Sequence, residues 1–159
     1  QLVTIVTVRF ALGIELPAAE MLAYTLNSHG IQLELQLDPD LPQAIGDADQ
    51  LGQVLLNLLV NAQHALLGCS GERLLRISTG TEQRRPGREP RIWLRVDDNG
   101  PGIPESIRDR VFYPLVSGRD GGSGLGLTLA QTFVQQHQGT IECESEPGRT
   151  VFRILIPLP

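Results

Sequence analysis

A chain of 159 residues with 41% hydrophobic content is long enough for one domain with one substantial core and too apolar to be disordered. Its formal net charge of −5 excludes non-specific nucleic-acid binding, which needs a basic surface. No apolar run approaches the roughly 20 residues that span a bilayer.

The opening Gln1-Leu-Val-Thr-Ile-Val-Thr-Val8 alternates apolar residues with Thr, so residues 1–12 are expected to form a strand. It carries no secretory cleavage pattern and no initiator Met, which predicts a fragment of a longer, cytoplasmic protein whose membrane attachment is left open. Glu15 to Asn27 reads as a helix with Pro17 in its first turn. These residues, 1–30, are assigned to the same domain as the main body, 31–159. Ile31, Leu33, Leu35 and Leu37 alternate with polar residues as in a half-buried strand that ends at Asp38-Pro39-Asp40.

A long helix is expected from Asp47 or Asp49 to Leu67. Leu51, Val54, Leu55, Leu58, Leu59, Ala62, Ala65 and Leu66 recur in steps of three and four, and Gly68 supplies the stop. Strands follow near Leu74–Thr79 and Arg91–Asp98, joined by a polar loop from Gly80 to Pro90 whose Arg84, Arg85 and Arg88 read as a solvated hairpin. Asn99–Ser123, rich in Gly and Pro, is far longer than an ordinary connection and reads as a functional lid without secondary structure of its own. A helix from Gly124 to Gln138 and strands at Thr140–Ser145 and Val151–Ile156 complete the chain. The order predicts an α+β fold, a two-layer sandwich with helices on one face of a mixed sheet. Cys69 and Cys143 are far apart and fit no metal-ligand spacing, and the three histidines are scattered, so the cysteines read as reduced thiols.

Three constellations carry chemistry. Gln53, Asn57, Asn61 and His64 lie on one face of the long helix. Two Asn in a helix interior contribute little to stability, but amide oxygens suit Mg²⁺ when phosphates bring the negative charge; alone, the stripe is better explained by an exposed edge. Alternation along Arg91–Asp98 puts Asp98 on the face of Ile92, Leu94 and Val96, aiming a carboxylate at the core. Such a group needs a donor, which the exocyclic amine of adenine would supply; Gly100 and Gly102 allow a sharp turn and a close approach to a flat ring. A plain Asp-Asn-Gly turn is the simpler reading, but it leaves the following Gly-Ile-Pro unexplained. Gly121-Gly-Ser-Gly-Leu-Gly126 then enters a helix, where converging N–H groups and the helix N-terminus favour phosphate. It is no P-loop, since no Lys-Ser or Lys-Thr follows; a hinge for the lid is the other reading. One nucleotide site accounts for all three.

At these residues the chain resembles the histidine kinases. Gln53-Val-Leu-Leu-Asn57-Leu-Leu-Val-Asn61-Ala is similar to their N box, Asp98-Asn-Gly-Pro-Gly-Ile103 and Gly122-Ser-Gly-Leu-Gly-Leu127 to their two glycine boxes, and Pro147-Gly-Arg-Thr-Val-Phe152 to the final box. The resemblance covers about Leu41–Pro159 and implies the Bergerat ATP-binding fold. Val111-Phe-Tyr-Pro-Leu-Val-Ser-Gly-Arg-Asp-Gly-Gly122 is similar to the lid of nitrogen-regulation kinases of the NtrB type, although Leu115 stands where many lids carry a second Phe.

The resemblance implies ATP and Mg²⁺ as cofactors, with Asn61 as the metal ligand and Asn57 assisting. It implies Asp98 and Thr150 at the adenine, with Gly100, Gly102 and Ile103 beside it, and Gly122, Gly124, Leu125 and Gly126 at the phosphates. Arg119 would steady the γ-phosphate, and His64 would face the phosphates. The implied partners are the dimerisation hairpin of the same kinase, a response-regulator receiver domain and a PII-type nitrogen signalling protein; the fragment itself is expected to be monomeric. Gyrase-like ATPases of this fold carry a Glu at the position of Asn57, and an amide is no general base, so phosphoryl transfer is favoured over hydrolysis. No histidine here is followed by an acidic residue, as the family's acceptor histidines are, which predicts that the acceptor lies elsewhere. An anti-sigma-type serine kinase and a non-catalytic nucleotide-binding module share the fold and stand as alternatives.

Overall fold

The computed structural model of the chain describes residues 23–42, 44–83, 85–117 and 124–158. The strand expected over residues 1–12 lies outside these, as does the expected helix from Glu15 up to residue 22; residues 23–28 are helical. Strand β1 (Ile31–Gln36) follows. Helix α1 (Ala48–Leu67) begins at Asp47, whose carboxylate accepts hydrogen bonds from the N–H groups of Asp49 and Gln50 (2.9 and 3.1 Å) and so satisfies two donors left open at a helix start. Leu51, Val54, Leu55, Leu58, Leu59, Ala62 and Leu66 form its buried stripe. Ala65 sits at the stripe's edge, half-buried.

Strands β2 (Arg73–Glu82) and β3 (Arg91–Asp98) form a hairpin. β2 continues past its expected end at Thr79 because two contacts extend the pairing. Gly80 lies under the Trp93 ring, where a Cβ would collide with it, and Glu82 accepts a hydrogen bond from Arg91 Nε at 2.8 Å. Arg85 and Arg88 stay exposed around the shortened turn. Helix α2 (Gly126–Gln136) and strands β4 (Thr140–Glu146) and β5 (Arg149–Pro157) follow.

The five strands form one sheet in the order β1-β2-β3-β5-β4. β1 and β2 pair in parallel and the other neighbours are antiparallel, so the sheet is mixed. Both α1 and α2 pack on the same face, giving the expected two layers. On that face the register stacks residues in rows across the strands. One row reads Leu35, Ile77, Val96, Phe152 and Cys143, and the next reads Leu33, Leu75, Asp98, Thr150 and Ser145. The first row is apolar apart from its thiol. The second turns polar at β3, β5 and β4, at the end of the sheet where the chain leaves β3.

The stretch after β3 is more structured than the expected bare lid. Hydrogen bonds from Ile107 N–H to Pro104 O and from Arg110 N–H to Ile107 O (3.0 and 2.9 Å) wind a 3₁₀ turn at Arg108–Arg110. Val111 is buried behind it, and the Phe112 ring meets Phe152 edge-on with centroids 6.2 Å apart. The first half of the lid is therefore anchored in the core.

His137, just past α2, ties the two helices together. Its Nδ1 donates to Phe133 O at 2.7 Å, which leaves Nε2 to accept the N–H of Asp47 at 2.8 Å. Replacing it (His137→Ala) removes that acceptor and the ring that packs on Gly46. Denaturant unfolding should show a loss of about 1–3 kcal/mol; an unchanged midpoint would show that the staple carries no stability.

Candidate functional site

Asp98 ends β3 on the helix-facing side, as alternation predicts, and is only 6% exposed. Among the described residues its carboxylate accepts a single hydrogen bond, from Gly100 N–H to Oδ1 at 2.9 Å, and no described cation pairs with it. Burial pushes its pKa up to about 6, against the lowering effect of the Gly100 bond; the nearby Asp97 charge raises it further. Cys143, in the neighbouring row, has its thiol pushed up to about 12, first by burial and then by the Asp98 charge. It is a packing thiol, as its isolation in the sequence suggests.

Asp98 opens onto a cavity of about 640 Å³ between α1, α2 and the loop that follows β3. Its apolar wall includes Val60, Ala65, Ile103, Ile107, Leu127 and Phe152, a surface suited to a flat ring. Its polar residues include Asp98 and Thr150 from the sheet and Gln53, Asn57, Asn61 and His64 from α1. The cavity is large, mostly apolar and tipped with a few convergent polar groups.

The two asparagines of α1 are not equivalent. Asn57 Oδ1 accepts from Gln53 Nε2 (2.8 Å), and its Nδ2 donates to Gly126 O (2.9 Å). Both ends of that amide hold protein together, so the expected assisting role at the metal would fall to the second lone pair of its Oδ1. Asn61, one turn on, makes no hydrogen bond to any described residue and lines the cavity. Its amide is fully open to a cation. His64 is exposed at the same wall.

α2 starts at Gly126 rather than at Gly124, and no described side chain caps it. Gly124, Gly126 and Leu127 at its start line the cavity. Gly124 has φ +70, and a Cβ there would lie 2.5 Å from the Leu115 carbonyl carbon. Leu115 N–H donates to Gly124 O at 3.0 Å, which draws the two flanks of the lid together. Leu115 itself has φ +65, a left-handed conformation that costs a non-glycine residue on the order of 1 kcal/mol.

Asp98, Thr150, Gly102, Ile103, Asn57, Asn61, His64, Gly124 and Gly126 all meet at this one cavity. Gly100 and Leu125 do not line it. Gly100 is buried behind Asp98 as its hydrogen-bond donor, and Leu125 turns to solvent, 50% exposed. Arg119 and Gly122 lie outside the described residues. Gln53, on the expected polar stripe, orients Asn57. Two contributors escape the sequence reading: Ser145 Oγ accepts from Ile103 N–H (2.7 Å) and lies 2.8 Å from Thr150 Oγ1, and Arg108 Nη2 donates to Ile103 O at 3.0 Å. Alternation places Ser145 on the inner face, but only the register shows it beside Thr150.

Comparison with known proteins matches residues 46–159 to the family described as histidine kinase-, DNA gyrase B-, and HSP90-like ATPase. The sensory histidine kinase/phosphatase NtrB of Escherichia coli O157:H7 is 45% identical over 130 residues, covering 80% of this chain and 37% of that protein. NtrB of Rhodobacter capsulatus is 48% identical over 128 residues, covering 76% and 35%. The chain thus spans little more than a third of the length of these curated relatives. Among solved structures, a nucleotide-free catalytic domain of the histidine kinase ThkA superposes with a TM-score of 0.74 at 23% identity over 90% of this chain and 91% of that one, a likeness of fold. Full-length ShkA in complex with AMPPNP gives 0.66 at 26% identity, covering 87% of this chain and 28% of that one. With more than half of its residues matched, the chain belongs to the histidine kinase-, DNA gyrase B- and HSP90-like ATPase family.

Proposed function

We propose that this chain is the catalytic ATP-binding domain of an NtrB-type sensor kinase. It binds Mg-ATP and transfers the γ-phosphoryl group to a histidine on the separate dimerisation hairpin of the same kinase, for onward transfer to a response-regulator receiver domain. The observation that carries this reading is Asp98, a buried carboxylate with one donor among the described residues, opening into a ring-sized apolar cavity that ends at the start of α2. Adenine's exocyclic amine gives the carboxylate its missing donor, Thr150 adds a hydroxyl beside it, and the wall of Ile103, Ala65 and Val60 takes the ring faces. The 48% and 45% identity to NtrB proteins supports placement among NtrB-type kinases, and a cytoplasmic location and a PII-type partner belong to the same proposal.

At the phosphate end, Asn61 has the free amide oxygen that a hard cation accepts, and the α2 N-terminus with Gly124 and Gly126 offers backbone donors to the anion. When bound, Mg²⁺ supplies charge neutralisation at the transferring group. In this proposal Arg119 and Gly122 complete the anion site from the lid. Asn57 cannot take a proton from water, and both ends of its amide are already engaged. Without a general base there, transfer to an acceptor side chain is favoured over hydrolysis.

Asp98 should set stability against binding. Its folded pKa, about 6, lies above the ordinary 3.8, so its protonated form favours the fold. That contribution is full below the ordinary value and is lost as pH rises through about 6. Asp98→Asn should therefore stabilise the empty domain at pH 7.5 by on the order of 1–3 kcal/mol in chemical denaturation. The same change should weaken Mg-ADP at least ~50-fold in calorimetric titration, since a carboxylate accepts a ligand's hydrogen bond far better than an amide that also presents donors. In the wild type, affinity should fall about tenfold per pH unit below 6. A variant that binds Mg-ADP like the wild type sinks the adenine assignment.

The two asparagines should separate. Asn61→Ala should remove the gain in ATP affinity that Mg²⁺ brings over EDTA while leaving the melting temperature nearly unchanged. Asn57→Ala should instead destabilise the domain by about 1–2 kcal/mol, because Gly126 O and Gln53 lose their partner. Equal loss of the Mg²⁺ effect in both variants would return Asn57 to the metal.

Incubated alone with radiolabelled ATP, the chain should remain unlabelled. Addition of the dimerisation hairpin of its own kinase should give label on the hairpin, lost in acid as phosphohistidine is. Acid-stable label would point to a serine kinase, and none at all to a non-catalytic module.

A further inference from the structure

Asp98, Thr150 and Ser145 occupy adjacent positions in one cross-sheet row, and the first two line the cavity. We propose that Ser145 fixes the direction in which the Thr150 hydroxyl donates and thereby makes the site select adenine over guanine. The proposal rests on reading the cavity as a purine-nucleotide site. Ser145 is a positioning residue; Thr150 makes the contact.

The argument is an accounting of protons. Ser145 Oγ lies 2.8 Å from Thr150 Oγ1, a distance at which either hydroxyl can donate. Ile103 N–H, 2.7 Å from Ser145 Oγ, donates to it and can do nothing else. If Thr150 also donated to Ser145, the Ser145 proton would have no acceptor among the described residues, in a half-buried position. If Ser145 donates to Thr150, every group of Ser145 is used. The Thr150 proton then has no protein acceptor among the described residues, on a side chain that is 4% exposed and faces the cavity. The second arrangement leaves one donor, and that donor points at the ligand.

Asp98 alone does not distinguish the purines, because both offer it a donor. Adenine at Asp98 through its 6-amine places unprotonated N1, an acceptor, next in the ring. A donating Thr150 meets it directly or through one water, which hands the same polarity on. Guanine in that pose sets O6 against the carboxylate and N1–H against a donor. Guanine shifted to give N1–H to Asp98 brings its 2-amine, a second donor, to Thr150. Both poses fail at a hydroxyl that must donate, and such unmet donors are what a polar site discriminates against. Freed from Ser145, Thr150 can rotate and accept, and the second pose becomes tolerable.

The test is calorimetric titration of the chain with Mg-ADP and with Mg-GDP, alongside melting temperatures. Wild type should prefer ADP by at least ~100-fold. Ser145→Ala should weaken ADP about tenfold and cut the ADP-over-GDP preference by about tenfold or more, and Ser145→Thr, which keeps the hydroxyl, should restore the preference. Thr150→Val should cut the preference likewise, and adding Ser145→Ala to it should change the preference no further. A purely structural Ser145 would lower affinity for both nucleotides alike. A preference within about twofold of wild type in Ser145→Ala, or a further drop in the double variant, overturns the proposal. Should the wild type bind neither nucleotide, the purine-site reading itself falls, an outcome distinct from binding without the Ser145 effect.

Discussion

A carboxylate held against the apolar side of a sheet is costly unless something donates to it, and the rest of this site is arranged around that cost. The neighbouring row across the sheet, Leu35, Ile77, Val96, Phe152 and Cys143, is packed against α1 and α2. One step further toward the end of β3 the same face carries Asp98, Thr150 and Ser145, and there the layers part to leave the cavity. The apolar row behind Asp98 leaves it 6% exposed, and Gly100 meets only one of its oxygens. The protein thus keeps a group whose charged form weakens the empty fold. A ligand with a matching donor recovers that loss, which is the usual relation between a binding site and stability.

The helix side of the cavity solves a different problem, that of holding a glycine-rich helix start in place without a cap from any described side chain. Asn57 does it from α1. Its Nδ2 reaches Gly126 O, and Gln53 fixes the amide's orientation from the other end. Thr128 Oγ1 donates to Phe112 O at 3.0 Å, and Phe112 is itself seated on Phe152. The base of the lid is thereby connected to the first turn of α2 and, through Phe152, to the sheet. Leu115 with its left-handed backbone and Gly124, which has no room for a Cβ, close the two flanks on each other. Strain of this kind persists where surrounding contacts hold it, and here it stands at the base of the lid.

Much of this was legible in the sequence because it rests on periodicity. The stripe of α1, the inward aim of Asp98 and the common face of Asn57, Asn61 and His64 follow from helix and strand repeats alone. What escaped depends on register or on individual hydrogen bonds. Asn57 and Asn61 have the same residue type on the same face, so no pattern reveals that one is tied to Gly126 and the other is open. Gly100 and Leu125 sit inside motifs whose neighbours line the cavity, yet one turns behind Asp98 and the other outward. The extension of β2 to Glu82 needed a cross-strand partner, Arg91, and a ring, Trp93, to lie over Gly80. Ser145 reads as an unremarkable strand residue until β4 is set beside β5.

The groups proposed to read the base and those proposed to hold the phosphates belong to different layers. Asp98, Thr150 and Ser145 are strand residues, and hydrogen bonds join Thr150 through Ser145 to the Ile103 loop. Asn61, Gly124 and Gly126 belong to the helices and the lid base. A lid that changes position acts on the second set through Gly124 and Phe112, whereas the first is fixed by backbone pairing on β3, β5 and β4. In the proposed function, the groups that read the base are thus set apart from those that the lid base holds at the phosphates. Under the proposed function, in which one terminal phosphoryl group is presented to a side chain arriving from elsewhere, that division lets the reacting end open without releasing the nucleotide.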